Sequence, residues 1–169
     1  MSTPATQDDR TSAPERIAEL DAWVGLLRAH AAATRRFNRE LMAGHGLTIN
    51  DFEVLVHLAH ADDGRLRRVD LAERVLLTAS GITRLLDGLE RSKLVCKASC
   101  AADARVTYAE ITPKGRALLS DARASHVEGV RALFAERFSP DELRELTRLL
   151  ERLPLAPQSD VCPGTDADC

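Results

Sequence analysis

From residue 14 to about residue 43 the apolar positions recur at helical spacing. Ile17, Leu20, Val24, Leu27 and Ala31 form the stripe, and Trp23, Leu26, His30, Phe37 and Leu41 widen it. A stripe that wraps more than one side needs cover on more than one side, from the same chain or from a second subunit. Gly44 and Gly46 end this helix. Thr48 is a helix N-cap with Asp51 at the third helical position, opening a short helix through Phe52, Val54, Leu55, Val56 and Leu58. Asp62-Asp63-Gly64 is a turn, and Arg65-Leu66-Arg67-Arg68 reads as a basic linker into a helix over residues 69–76.

Thr78 caps the next helix, whose apolar set Ile82, Leu85, Leu86 and Leu89 follows i, i+3, i+4, i+7. Its other face carries Ser80, Thr83, Arg84 and Asp87, with small Ala79 and Gly81 near the start. A helix that buries one stripe and presents hydroxyls and an arginine near its N-terminus suits insertion into a DNA groove. The period then changes. Val95 and Lys97 begin one strand and residues 106–111 form another, with 98–104 as the connecting loop. Thr112-Pro113 starts a long helix through Leu118, Leu119, Val127, Val130, Leu133 and Phe134. Ser139-Pro140-Asp141-Glu142 is a capping box, and Leu143, Leu146, Leu149, Leu150 and Leu153 give the last helix its apolar face. The fold class is therefore mainly α with a small β-hairpin. Residues 1–13 and 154–169 are polar or Pro-rich without periodicity and read as disordered tails.

Composition changes this picture little. The 169 residues are 44% apolar and 29% charged, ordinary for a globular protein, and aromatics are scarce at 4%. No window reaches the length of a membrane span and no apolar signal core opens the chain, so a cytoplasmic protein without membrane association is expected. Charge changes it more. The net charge is −3, yet residues 65–116 hold eleven Lys and Arg against six Asp and Glu. That module is basic within an acidic chain, and phosphates respond to local potential rather than to the total.

The ordered set of elements resembles the MarR family of bacterial transcriptional regulators. The residues that carry the resemblance are Leu47-Thr48 with Phe52 and Val54-Leu55, then Leu71-Ala72, then Thr83-Arg84 with Leu86-Asp87 and Leu89-Glu90. Asp103-Ala104-Arg105 and Ile111-Thr112-Pro113 with Gly115 complete it, over roughly residues 15–153. The resemblance implies a winged helix-turn-helix lobe at 47–112 and a helical dimerisation region at 14–46 and 113–153. It implies a homodimer on a pseudo-palindromic operator in double-stranded DNA, with two recognition helices in successive major grooves and the hairpin wings along the minor groove. Ser80, Thr83 and Arg84 fall where family members meet bases and phosphates. Arg105 falls where the wing arginine approaches the minor groove, and Asp103 where an acid orients that wing. With the basic and capping residues beside them, the candidate DNA-contacting set is Arg67, Arg68, Thr78, Ser80, Thr83, Arg84, Lys93, Lys97 and Arg105. The chain departs from the pattern at Lys93, where the family usually has Gly, and at Cys96, Ala98 and Ser99, near places often held by Arg.

The resemblance also implies control by a small anionic or phenolic ligand, a metal or an oxidant. Trp23, Arg28, His30 and His57 are candidates to line an effector pocket. His57 and His60 stand three apart on one helix, but no carboxylate or Cys joins them, so no metal and no cofactor are expected. Cys96 and Cys100 are candidate redox residues on the wing. Thiols in a chain of this kind are ordinarily reduced, and ordinary thiols are the simpler expectation. Beside the DNA-binding regulator, expected to be a repressor, stand a redox-responsive regulator and a winged-helix protein-interaction module that no longer reads DNA. No Ser-His-Asp set, phosphate loop or metal cluster can be assembled, so an enzyme is not expected.

Overall fold

The elements follow one another in the order that the apolar periodicity predicts, with one addition. The computed structural model describes residues 17–99 and 107–153. In chain order they are α1 (Ala18–His45), α2 (Ile49–His60), β1 (Arg65–Arg67), α3 (Arg68–Arg74), α4 (Ala79–Arg91), β2 (Val95–Ser99), β3 (Thr107–Ile111), α5 (Pro113–Ala135) and α6 (Pro140–Leu150). The addition is β1. Arg65-Leu66-Arg67, read from sequence as a linker, pairs antiparallel with β3 through Arg65–Glu110, Leu66–Ala109 and Arg67–Tyr108. Three residues, two of them charged, are too few to display a period-2 pattern, although Leu66 is only 2% exposed. The sheet order is β1-β3-β2. Ala98 and Ser99, expected in the loop, continue β2 opposite Tyr108 and Thr107.

Hydroxyl side chains set the helix starts. The Asp51 amide donates to Thr48 Oγ1 and the Thr48 amide donates back to Asp51 Oδ2, at 3.1 and 2.9 Å. Asn38 Oδ1 accepts from the Ile49 amide at 3.0 Å and so fixes the start of α2 against α1. Thr78 Oγ1 accepts from the Gly81 amide and Thr112 Oγ1 from the Gly115 amide. Ser139 and Glu142 form the reciprocal capping box expected of them. Such caps are worth about 0.5–2 kcal/mol each. Gly46, with φ +67°, turns the chain out of α1.

The chain divides into two compact units, residues 1–35 and 36–169. Within the first, the described part of α1 leaves Leu20, Trp23, Val24 and Leu27 exposed. The second holds the core: Leu41 and Leu47, Phe52, Val54, Leu55 and Leu58 of α2, Leu71 of α3, Ile82, Leu86 and Leu89 of α4, Val95, Ala109 and Ile111 of the sheet, and Leu119 and Ala122 of α5. Each fully buried Leu or Ile contributes roughly 1.5–3 kcal/mol relative to exposure. His126 of α5 sits between Phe37 and Phe52, ring centroids 4.9 and 4.8 Å away. Burial among these rings lowers its pKa, opposed by the carboxylate of Glu40.

Gly115 lets the first turn of α5 lie directly on the Leu94 carbonyl, leaving no room for a Cβ, and Ile111 Cγ1 stands 3.0 Å from the same point. Thr112 Oγ1 donates to the Lys93 carbonyl beside it, at 2.8 Å. Lys93 has φ +59°, a left-handed conformation that a lysine adopts only under strain. Two substitutions at this seam therefore act in opposite directions. Gly115→Ala destabilises by about 1–3 kcal/mol through overpacking, and Lys93→Gly stabilises by roughly 0.5–1 kcal/mol. Urea unfolding monitored by circular dichroism reads both. Loss of stability in Lys93→Gly contradicts the strain.

Candidate nucleic-acid interface

The site begins with the short turn between α3 and α4. Leu71, Ala72 and Val75 bury one side of α3. The Leu77 amide then donates to the Ala72 carbonyl at 2.9 Å, which reverses the chain and starts α4 at Thr78. Burial of Ile82, Leu86 and Leu89 leaves the opposite face of α4 outward, with Ser80 and Arg84 exposed and Thr83 half-buried. The α4 N-terminus thus carries free backbone donors, three hydroxyls and one guanidinium on a single side, the set that can meet phosphates and base edges.

Some candidate contacts are held in place by the protein itself. An Arg68 terminal nitrogen donates to Thr83 Oγ1 at 2.6 Å, and that hydroxyl donates to the Ala79 carbonyl at 2.8 Å. Arg68 is thereby fixed against the first turns of α4. Arg67 forms a two-point pair with Asp70, both contacts 2.8 Å, at the start of α3. Thr78 Oγ1 lies 3.2 Å from Ser80 Oγ. Arg84 makes no ion pair among the described residues, and its charge is directed to solvent.

Lys97 is placed differently. It lies on β2, and its ammonium is 2.7 Å from Glu90 and 3.2 Å from Asp87, both on α4. The hydrogen bond to Glu90, then that to Asp87, raises its pKa. Lys97 thus ties β2 to α4 and neutralises two carboxylates on the exposed side of that helix. Both ends are exposed, so the tie adds little to stability. Lys93 is exposed at the end of α4, and the Lys114 ammonium nearby donates to the Ser92 carbonyl at 2.8 Å. Neither the clamp at Lys97 nor the Arg68–Thr83 bond was foreseen from sequence. The i, i+3 spacing of Asp87 and Glu90 gave a signal, since it puts both acids on one face of α4.

Asp103, Arg105 and Cys100 lie outside the described residues. Cys96 is disulfide-bonded, which corrects the expectation of reduced thiols at this position. The other three cysteines lie outside the described residues. Trp23, Arg28 and His30 are exposed on α1 in the first unit, and His57 is half-buried on α2 in the second. Burial, then the charges of Arg74 and His60, lowers the His57 pKa. His60 Nδ1 lies 2.7 Å from the Val56 carbonyl. No group of three or more metal-ligating side chains occurs among the described residues. No helix among them is long and apolar enough to cross a membrane.

The clamp makes a prediction. Lys97→Met exposes Asp87 and Glu90 to phosphate and weakens DNA binding by about 3–10-fold, while Lys97→Met with Asp87→Asn recovers most of the loss. Fluorescence anisotropy on a labelled duplex reads the difference. An unrecovered loss in the double variant means that Lys97 itself touches DNA.

Known proteins bear on this geometry in three ways. The family model of the MarR family matches residues 45–106, the stretch from the end of α1 past β2 to the residue before β3. The HTH-type transcriptional regulator MhqR of Bacillus subtilis is 31% identical over 136 residues, covering 80% of this chain and 91% of that protein. The HTH-type transcriptional repressor YetL of the same organism is 36% identical over 115 residues, 66% of this chain and 68% of that one. Among solved structures, Sco3205 of Streptomyces coelicolor, a MarR family transcriptional regulator in complex with DNA, superposes with a TM-score of 0.74 at 25% identity. That superposition covers 83% of this chain and 89% of Sco3205. With the capped helix-turn-helix, the three-stranded wing sheet and the flanking helices in place, the chain belongs to the MarR family and is a transcriptional regulator rather than an enzyme.

Proposed function

We propose that the protein acts in the cytoplasm as a homodimeric repressor on a pseudo-palindromic operator and is released from it by a small anionic or phenolic effector. The observation that carries the DNA reading is the division of α4. Its apolar stripe is spent on the core, and Ser80, Thr83 and an unpaired Arg84 are left outward beside a helix N-terminus. In this reading Arg84 meets a base edge or phosphate in the major groove. Thr78, Ser80, Thr83, Arg67, Arg68 and Lys93 position the helix on the backbone, and Arg105, oriented by Asp103, follows the minor groove. The repressor role is supported by the name of YetL.

The homodimer is supported by apolar surface left over in each unit. Within the first, Leu20, Trp23, Val24 and Leu27 are exposed, Trp23 by 56%. Within the second, α6 buries no residue, and Phe138, Leu149, Leu150 and Leu153 are exposed. A second copy covers such faces on residues 14–46 and 113–153. The two recognition helices then stand about one helical turn of DNA apart.

A redox-responsive variant of the same function is favoured by one observation, the disulfide at Cys96 on the wing strand. In that reading Cys96 and Cys100 alter the wing.

The test is anisotropy with the duplex upstream of the protein's own gene. Arg84→Ala weakens specific binding by about tenfold or more, from about 1–3 kcal/mol per base contact. Arg84→Ala combined with Arg105→Ala abolishes retention at 150 mM salt. Retention unchanged in that double variant points instead to a protein-interaction module. Under the redox reading, affinity changes with dithiothreitol and no longer does so in Cys96→Ser. Equal affinity with and without reductant removes it.

A further inference from the structure

The three-stranded sheet has one face in the core, where Leu66, Ala109, Val95 and Ile111 are buried. Alternation puts Arg65, Glu110 and Cys96 in one row across the other face, and Arg67, Tyr108 and Ala98 in the next. The outer face of an antiparallel sheet is ordinarily left to water. Here Arg65 and Ala98 on that face are only 9% and 8% exposed. Cys96 stands in the first row and is disulfide-bonded. Its partner is one of three cysteines, Cys100, Cys162 or Cys169.

Backbone geometry rules out the first. β2 is extended and paired as far as Ser99, opposite Thr107. Three residues at about 3.3 Å each put the Ser99 Cα about 10 Å from that of Cys96. Even the sharpest bend that backbone sterics allow at Ser99 leaves the next Cα, that of Cys100, roughly 9 Å from Cys96. A disulfide needs its Cα atoms within about 7 Å. The other two cysteines follow Leu153, the last described residue, by nine and sixteen residues. Such lengths span up to about 30 and 55 Å. α5, which leads from the sheet toward that end of the chain, has 23 residues and is about 35 Å long, so the segment has the length to return. Residues 154–169 also carry Asp160, Asp166 and Asp168 and no Lys or Arg, a complement to Arg65 and Arg67 on the outer face.

We propose that residues 154–169 dock on the outer face of the wing sheet and supply the cysteine bonded to Cys96. The bond closes in two exchanges with a small disulfide such as oxidised glutathione. One cysteine thiolate attacks that disulfide and releases a glutathione thiolate. The second cysteine thiolate attacks the mixed disulfide and releases the other. The two thiol protons pass to the leaving thiolates, so two electrons and two protons leave the protein. A dithiol reverses the exchange. The pairing itself stands on the geometry of the sheet. Its regulatory consequence rests on the redox reading above and deepens it, with a tail cysteine in the place of Cys100. When the bond is closed, an acidic segment is held against the wing and lowers its attraction for phosphate.

Peptide mapping reads the pairing without DNA. The full chain is incubated with oxidised glutathione, quenched with N-ethylmaleimide and digested with trypsin without reduction. Trypsin separates Leu94–Lys97, Ala98–Arg105 and Leu153–Cys169, so each candidate pairing gives a different linked mass. The expected product joins Leu94–Lys97 to Leu153–Cys169 within a monomer on a non-reducing gel. Cys162→Ser combined with Cys169→Ser is expected to remove that product. Three results overturn the proposal: Leu94–Lys97 linked to Ala98–Arg105, a disulfide between two copies of the chain, or Cys96 recovered only as its maleimide or glutathione adduct. Fluorescence anisotropy on the upstream duplex then reads the consequence. The closed form is expected to bind about threefold or more weakly than the same chain in dithiothreitol, and the double serine variant to be indifferent to the reductant. Equal affinity in both states removes the redox reading and leaves the pairing, so the two failures are told apart. Circular dichroism of the variant verifies the fold.

Discussion

The reading face depends on one constraint, that α4 has a single apolar stripe and must spend it on the core. Ile82, Leu86 and Leu89 are each nearly fully buried against α2, α3 and the base of the wing sheet. Rotation of the helix by one residue would trade Ile82, Leu86 and Leu89 for Thr83, Asp87 and Glu90 and leave polar groups without water. The hydrophobic effect therefore aims Arg84 outward, and the Thr78 cap fixes where the helix begins. Everything that touches DNA in the proposed function follows from this packing. The wing is tied to it through Lys97, and α5 is seated against it through the close approach of Gly115 to Leu94.

Electrostatics divides the basic module more finely than a count of charges suggests. Its excess of positive charge lies in residues 65–116, but several of those cations are engaged within the protein. Arg67 holds Asp70, Lys97 holds Glu90 and Asp87, and Lys114 holds a backbone carbonyl. Arg65 is 9% exposed and stacks 5.5 Å from the Tyr108 ring, where it braces the sheet. Arg84 makes no ion pair among the described residues. The turn before it also exposes Leu76 by 84% at φ +53°, and the structure gives no packing reason for a leucine there.

How much of this was legible in the sequence follows from the length of each signal. The eight longer elements announced themselves through caps or periodicity: Thr48 with Asp51, Thr78, Thr112-Pro113 and Ser139 with Glu142 all cap as read. Strand β1 did not, because three residues, two of them charged, are too short a run to display a period of two. The φ of Lys93 was legible only through the resemblance, as a lysine at a glycine position. The Arg68–Thr83 bond joins residues fifteen apart and the Lys97–Asp87 bond residues ten apart, so both exist only once the lobe has folded.

The most direct measurement of the central claim is a guanine-methylation interference footprint on the upstream duplex, which reports occupancy of the major groove at base N7. The account predicts two patches on one face of the duplex, related by a pseudo-dyad and centred about one helical turn apart, and both lost together in Arg84→Ala. A single patch, or retention with no interference at any guanine N7, contradicts it.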